Sequence, residues 1–341
     1  MKIISGFEFL NSKHCITGSM LHLFHFHNCP ISEEMLLGIG SGIGYMYWHQ
    51  KGDLPFLGGR ANTARGSQNR KCLEIIAAER CGVSAQRFTT SSPAKAEKTL
   101  LSHLEKDTPI MLQTDMGLLP YFSFFGQFHF GYHGIVAAGY DPQTNDVTIA
   151  DRDATPYAVS LEQVSLARNS TFKPFPPKNA WMEYDFSGFH QPEKETLREA
   201  ILECAQAMLN PPIRNMGVKG ILSTKERIRD WPKVLGKDQI ELTCKNTALY
   251  FRADAGTGGG LFRWMYAIFL QEAADILKNK SLNTAASDFQ SAGDSWEQLA
   301  DVLESITGQQ ELERQQEQIS AILDQIAYQE RSGWSTLRDS L

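Results

Sequence analysis

Apolar residues crowd the stretch Ser19 to Phe26, where Met20, Leu21, Leu23, Phe24 and Phe26 suit a buried helix better than an alternating strand. Cys15 therefore falls near a helix start. Pro30-Ile31-Ser32-Glu33-Glu34 predicts a second helix, with Ser32 as cap and both glutamates in its positively polarised first turn, running into Gly38. The run Gly38 to Gly44 lacks the Lys-Ser/Thr ending of a phosphate-cradling loop and follows no clear strand, so it reads as a tight turn. Helical spacing returns over 71–80 and 93–106. At Pro109 the pattern changes. Residues 110–114 predict a strand and 120–125 an aromatic loop, while 134–140 and 146–150 predict two strands joined by the turn-forming Asp141-Pro142-Gln143-Thr144-Asn145. The two make an antiparallel hairpin, followed by a strand over 157–159 and a helix over 161–167.

Pro174-Phe175-Pro176-Pro177 interrupts regular structure, because proline lacks a backbone donor and fixes its own φ. Beyond it the helical pattern is nearly continuous: 193–209, 224–235, 238–251, 261–278, 284–306 and 309–332. The expected class is α+β, an antiparallel sheet in a first domain (1–172), an interdomain region (173–192), and an all-α domain (193–341).

Composition narrows the function. The 341 residues are 42% hydrophobic and 21% charged, a globular balance. A formal charge of −6 without a basic block disfavours nucleic acid, whose binding relies on Lys and Arg displacing counterions. Six scattered cysteines form no Cys-x-x-Cys pair, so the expectation is reduced thiols and no metal. Glu8 and Asn11 interrupt the apolar core a signal peptide needs, and no uncharged apolar run nears the roughly 20 residues of a membrane helix. The expected location is the cytoplasm, with no membrane partner.

A cysteine nucleophile reacts as thiolate, which a helix N-terminus and a neighbouring imidazolium both favour. Cys15 has the first feature. His133 opens one strand of the hairpin and Asp151 ends the other, so the pairing brings them close. Together they are candidates for nucleophile, base and orienting carboxylate. The backbone amide of Cys15 would hold an oxyanion, with Asn11 or His14 as second donor. His129 is a rival base and Asp153 a rival orienter, each less well placed at a strand end. Taken singly, each residue has a structural reading, since buried cysteines and core histidines are common; the joint arrangement favours chemistry.

At these residues the chain resembles the family of butirosin biosynthesis protein H. The matching stretches are His14-Cys15, the segment from Ile31 to Gly42, Phe130-Gly131-Tyr132-His133, Gly139-Tyr140-Asp141 and Asp151-Arg152-Asp153. The second half resembles the helical domain that accompanies this family, through the segment from Gly256 to Arg263, Tyr266 and the segment from Phe269 to Ala273. The likeness spans nearly the whole chain. It implies a papain-like cysteine-peptidase or acyltransferase fold with Cys15, His133 and Asp151 in the triad positions. It also implies transfer of an acyl or aminoacyl group from a carrier protein's phosphopantetheine thioester to an amine. The related leader peptidases place a glutamine shortly before the cysteine, whereas residues 5–14 contain none, which leaves the second oxyanion donor open.

Weaker candidates lie elsewhere. Gly258 and Gly259, before a helix and near Arg263, could hold a phosphate or pantetheine with backbone amides; close helix packing is the competing reading and weighs slightly more. Arg60 beside Gly58-Gly59 is an anion candidate against a solvated-loop reading. Tyr121 is a further substrate-binding candidate, and the aromatic residues from it to Phe130 would wall the site against water, with a plain aromatic core as the equal alternative. The expected function is a cytoplasmic cysteine acyltransferase with no bound cofactor, an acyl carrier protein or acyl-CoA donor and a small amine acceptor, with a homo-oligomer admissible. The alternatives are a cysteine peptidase or amidase on the same triad, and a non-catalytic binding protein on this fold.

Overall fold

The structure, a computed structural model, describes residues 1–60, 72–173 and 175–341. The expected helix start at Lys71 and the proline at 174 lie outside the described residues. From the N-terminus the chain forms α1 (Cys15–Phe26), α2 (Glu33–Ile39), short strands β1 (Met46–Trp48) and β2 (Phe56–Gly58), α3 (Leu73–Glu79), β3 (Ser84–Phe88), α4 (Pro93–Leu104) and β4 (Ile110–Thr114). There follow β5 (His133–Asp141), β6 (Asp146–Ala150), β7 (Tyr157–Ser160), α5 (Leu161–Arg168) and β8 (Trp181–Asp185). The remainder is helical: α6 (Lys194–Leu209), α7 (Gly217–Val234), α8 (Lys237–Phe251), α9 (Arg263–Leu277), α10 (Ser281–Glu304) and α11 (Gln309–Ser340). The class is α+β.

Two compact units result, one of Met1–Leu36 with Ala78–Gln191 and one of Leu37–Ala77 with Pro192–Leu341. This partition departs from the expected one at two places. Residues 37–77 group with the helical part of the chain, and the region expected as a linker over 173–192 contains β8, which pairs with both β3 and β4. Of the prolines that suggested a linker, Pro176 and Pro177 precede that strand.

In the first unit six strands form one sheet in the order β3-β8-β4-β5-β6-β7, every neighbour antiparallel. β4 is buried at every position and β5 through its first seven residues, as befits apolar central strands. α1 packs on β4 and β5. Gly134 permits the approach: a Cβ there would stand 2.9 Å from Ile16 Cδ1 and 3.2 Å from the Cys15 carbonyl oxygen.

The β5–β6 hairpin forms as expected, but its register contains a shift that the strand pattern does not announce. From the turn, Asp141 pairs with Asp146 and Gly139 with Thr148; beyond a bulge at Ala138, Ala137 pairs with Ile149 and Val136 with Ala150. Side chains alternate faces along a strand, so one extra residue exchanges the faces of everything beyond it. Without the bulge, Asp151 would fall opposite Val136, on the face away from His133. With it, Asp151 falls opposite Ile135, on the same face as His133 and diagonal to it. The carbonyl of Ala138 is satisfied by the Ile4 amide at 2.8 Å, and a Cβ on Gly139 would meet the Lys2 carbonyl oxygen at 1.9 Å. The segment from Lys2 to Ile4 thus lies directly against the bulge.

In the second unit β1 pairs with β2, and α6 to α11 enclose Trp231, Tyr266, Phe289, Trp296 and Trp334. The glycine-rich run after α2 is a turn. Ser41 has φ +48°, its amide donates to Gly38 O and that of Gly42 donates to Leu37 O, the double bond that closes a helix in a left-handed cap. Among the described residues, no helix is long and apolar enough to cross a membrane.

Candidate active site

Cys15 is the first residue of α1, and His14, in extended conformation, is its N-cap. No side chain of the cap itself bonds to the helix. The work is done from α2: Glu33 Oε2 accepts from the Lys13 amide and Oε1 from both the His14 amide and Thr17 Oγ1, each at 2.8 Å. Glu33 is buried, and burial pushes its carboxyl above the usual range while these donors pull it back. Lys13 Nζ pairs with neighbouring Glu34. The two amides preceding Cys15 are therefore fixed by one carboxylate from another helix.

His133 opens β5 opposite Thr114 and is 1% exposed. Its Nε2 lies 2.7 Å from Asp151 Oδ2, and its side chain also hydrogen-bonds Cys15, for which Nδ1 is the remaining ring nitrogen. Burial opposes charging of the ring, but the Asp151 carboxylate and then Cys15 outweigh it, raising the imidazole pKa to about 9. Burial likewise opposes ionisation of Asp151, yet His133, Tyr121 and Arg152 hold its carboxyl below the ordinary range. Asp151 Oδ2 accepts a second bond, from Tyr121 Oη at 2.7 Å, whereas Oδ1 is buried with no hydrogen-bond partner among the described residues. Phe122 stands edge-on to the imidazole, ring centroids 5.5 Å apart.

This arrangement is a buried thiol–imidazole–carboxylate chain whose thiol opens a helix. The family model described as butirosin biosynthesis protein H, N-terminal, matches residues 14–152, an interval that begins one residue before Cys15 and ends one after Asp151. A domain of unknown function (DUF4872) matches residues 162–337. The chain belongs to the DUF4872 family, whose model covers more than half of it, and its N-terminal part is similar to the butirosin biosynthesis protein H N-terminal family. Its C-terminal part is a DUF4872 domain. No curated protein matches the chain.

Several sequence candidates have other partners. His129 Nδ1 is held by Asp115 Oδ2 at 2.9 Å, and Asp153 accepts from Tyr157 Oη and the Thr155 amide, so the rival base and orienter join neither each other nor the His133–Asp151 pair. Tyr121, expected at the substrate, gives its hydroxyl to Asp151 and stacks on Tyr157. Burial first, and then the Asp151 charge, keep that phenol protonated and donating. Asn11 Oδ1 accepts from the Ala154 amide, and Ser12 N donates to Arg152 O, so this segment braces the chain just beyond Asp151. The amide of His14, the other oxyanion candidate, is committed to Glu33.

Arg263 is a structural residue. It is fully buried, with Nε on Glu330 Oε1 (2.5 Å), Nη1 on Leu261 O (2.8 Å) and Nη2 on Gly44 O (2.9 Å). Its carboxylate partner comes from α11, and full burial keeps the guanidinium out of reach of a phosphate in solvent. The glycines before it pack closely: a Cβ on Gly259 would sit 2.1 Å from the Trp264 ring, and one on Gly260 2.3 Å from Gly293 Cα. Gly258 has φ +67°, a backbone only glycine adopts freely. Arg60 is half-buried in the second unit, beside β2. Among the described residues, no three His, Cys, Asp or Glu side chains could hold a metal ion.

Glu33 and the Tyr121 hydroxyl on Asp151 are the contributions that the sequence reading did not assign, whereas Phe122 belongs to the aromatic segment it placed beside the histidine. Glu33 sits in a helix first turn, where an acid ordinarily serves its own helix, and nothing in the local sequence marks its bonds to the residues before Cys15.

Proposed function

We propose that this chain is a cysteine-dependent acyltransferase that moves an acyl group from a thioester to an amine through a Cys15 acyl-enzyme. The observation carrying this is the Cys15–His133–Asp151 chain, buried and aligned at the start of α1. The match of residues 14–152 to a family model named for butirosin biosynthesis supports a biosynthetic role over degradation. The donor in this reading is the phosphopantetheine thioester of a carrier protein or of coenzyme A.

Asp151 holds the imidazole with Nε2 toward its carboxylate, leaving Nδ1 to take the thiol proton. The Cys15 sulfur attacks the donor carbonyl carbon; a carbon–sulfur bond forms, and the donor's own carbon–sulfur bond then breaks, its thiol leaving with the proton carried by His133. The Cys15 backbone amide, in the first turn of α1, is one donor to the oxyanion. The Lys13 and His14 amides are not further candidates, because Glu33 binds both.

Intact-protein mass spectrometry with a panel of aminoacyl and fatty-acyl thioesters tests this directly. Wild type should gain one acyl mass that an added amine removes, and Cys15→Ala should gain none. An adduct independent of Cys15 overturns the mechanism. Discharge at the same rate with and without amine marks a hydrolase instead.

A further inference from the structure

Asp151 lies just beyond the end of β6, and the terminal torsion of an aspartate is soft, so either carboxylate oxygen could be turned toward His133. Two bonds settle which one is. Oδ2 lies 2.7 Å from His133 Nε2 and accepts from Tyr121 Oη, also at 2.7 Å, whereas Oδ1 has no hydrogen-bond partner among the described residues. Tyr121, on the chain between β4 and β5, is itself held: its ring stacks on Tyr157 with centroids 4.1 Å apart and leans on Phe122 at 4.7 Å. Tyr157 is tied in turn, its hydroxyl donating to Asp153 at 2.6 Å. The consecutive residues Tyr121 and Phe122 thus meet both members of the pair, one at the carboxylate and the other at the imidazole.

A hydroxyl on the oxygen that faces the histidine does two things. It locks the carboxylate's orientation, and it draws part of the charge of Oδ2 toward itself, so that oxygen holds an imidazolium less tightly than an unshared one would. The titratable and charged groups around the pair are Cys15 and His22 from α1, Tyr121, and Arg152 and Tyr157 from beyond β6. His22 is committed elsewhere: its Nε2 accepts from the Leu10 amide at 3.0 Å, which leaves Nδ1 to donate to Gly18 O at 2.8 Å and keeps the ring neutral. Tyr121 spends its one donor on Asp151.

We infer that Tyr121, expected from the sequence at the substrate, is instead a positioning residue: its hydroxyl fixes Asp151 Oδ2 toward His133 Nε2 and tempers that oxygen's hold on the imidazolium. The catalytic part of this inference rests on the acyl-enzyme proposed above. There His133 takes the Cys15 proton and returns it to the departing thiol, and a carboxylate that gripped the imidazolium too tightly would slow the return. Tyr121 keeps its own proton throughout and touches neither the thiol nor the acyl group.

Two measurements on the full chain test it. The titration of His133 is followed by NMR with isotope-labelled histidine, its signal assigned by its loss in His133→Gln, and acetyl loading of Cys15 from an acetyl thioester is timed by mass spectrometry. Tyr121→Phe removes the donor and keeps the stacked ring. The His133 midpoint should rise by about 0.5–1 pH unit and loading should slow by roughly fivefold. Tyr121→fluorotyrosine, with the fluorine beside the hydroxyl, keeps the shape and strengthens the donor, so the midpoint should fall below that of wild type. Tyr157→Phe loses a hydroxyl that binds Asp153 and should leave the midpoint in place. A hydroxyl with a merely structural role would lower the unfolding temperature of Tyr121→Phe and move no titration. An unmoved midpoint in the fluorotyrosine variant, an equal shift in Tyr157→Phe, or wild-type loading in Tyr121→Phe overturns the inference. Absence of any adduct at Cys15 of the wild type overturns the acyltransferase reading separately, since the titration needs no acyl donor.

Discussion

Each unit of this protein buries an ion pair, and the two pairs are built differently. Arg263 and Glu330 form a closed set: each guanidinium nitrogen has an acceptor, and the glutamate also accepts from Trp296 Nε1 at 3.3 Å and Trp334 Nε1 at 2.9 Å. His133 and Asp151 form an open one, with a thiol at one end and an unbonded carboxylate oxygen at the other. A buried charge that only holds a fold together is stable when its hydrogen-bonding capacity is fully met. On the proposed mechanism the second pair exchanges a proton and so cannot be closed in that way, since one partner would change its bonding during the reaction.

The contrast breaks if the wrong pair governs chemistry. Cys15→Ala should abolish acyl-enzyme formation, and His133→Ala should slow it by roughly 10²–10⁴, with the unfolding midpoint of the cysteine variant little changed; mass spectrometry and thermal unfolding read the two separately. Glu330→Ala should do the reverse. It strands a fully buried guanidinium and should cost about 3–5 kcal/mol in urea unfolding. A Glu330 variant as stable as wild type would mean that the second network is not what holds α9 to α11.

Two smaller effects sharpen the comparison. His133 has a folded pKa raised from 6.5 to about 9, so its contribution to stability is complete below the unfolded value and lost as pH rises through about 9. Loading of Cys15 that depends on the imidazolium should fall over the same interval. Because Cys15 is one cause of the shift, stability of Cys15→Ala should decline from a lower pH, and an unmoved limb would assign the titration to another group. Smallest is Glu33→Gln. The amide keeps one acceptor but sets an N–H against a backbone or Thr17 donor, so the approach to Cys15 loosens. The expected result is a several-fold slower alkylation by iodoacetamide with a displaced pH profile; an unchanged profile would make Glu33 a structural residue only.

Much of this was legible in the chain. α1, the β5–β6 hairpin and the long C-terminal helices follow from apolar spacing and turn residues, because each is stabilised largely by its own periodic face. β3 was missed because Ser84-Ala85-Gln86-Arg87-Phe88 is a half-exposed edge strand with no apolar run, and β8 because prolines precede its five residues. Cys15, His133 and Asp151 could be named from their positions at element ends. What could not be read was how Asp151 reaches the histidine's face, which the bulge at Ala138 decides, or that Glu33 reaches back to the residues before Cys15. Both are tertiary facts. Gly258, Gly259 and Arg263 illustrate the opposite error, since a glycine run beside an arginine looks the same in sequence whether it cradles an anion or packs a helix.

The bulge makes the pairing of His133 and Asp151 a matter of parity. Whether the two residues share a face depends on an odd or even count along the ladder, so losing one residue at Ala138 would leave an intact hairpin of nearly unchanged composition whose aspartate points away. Lys2 to Ile4 help keep that count, through Ile4 on the Ala138 carbonyl and Lys2 O on Thr148 Oγ1. Changes at these first residues would then register as lost turnover in a chain that still folds, and the cause would lie more than a hundred positions from the histidine it disarms.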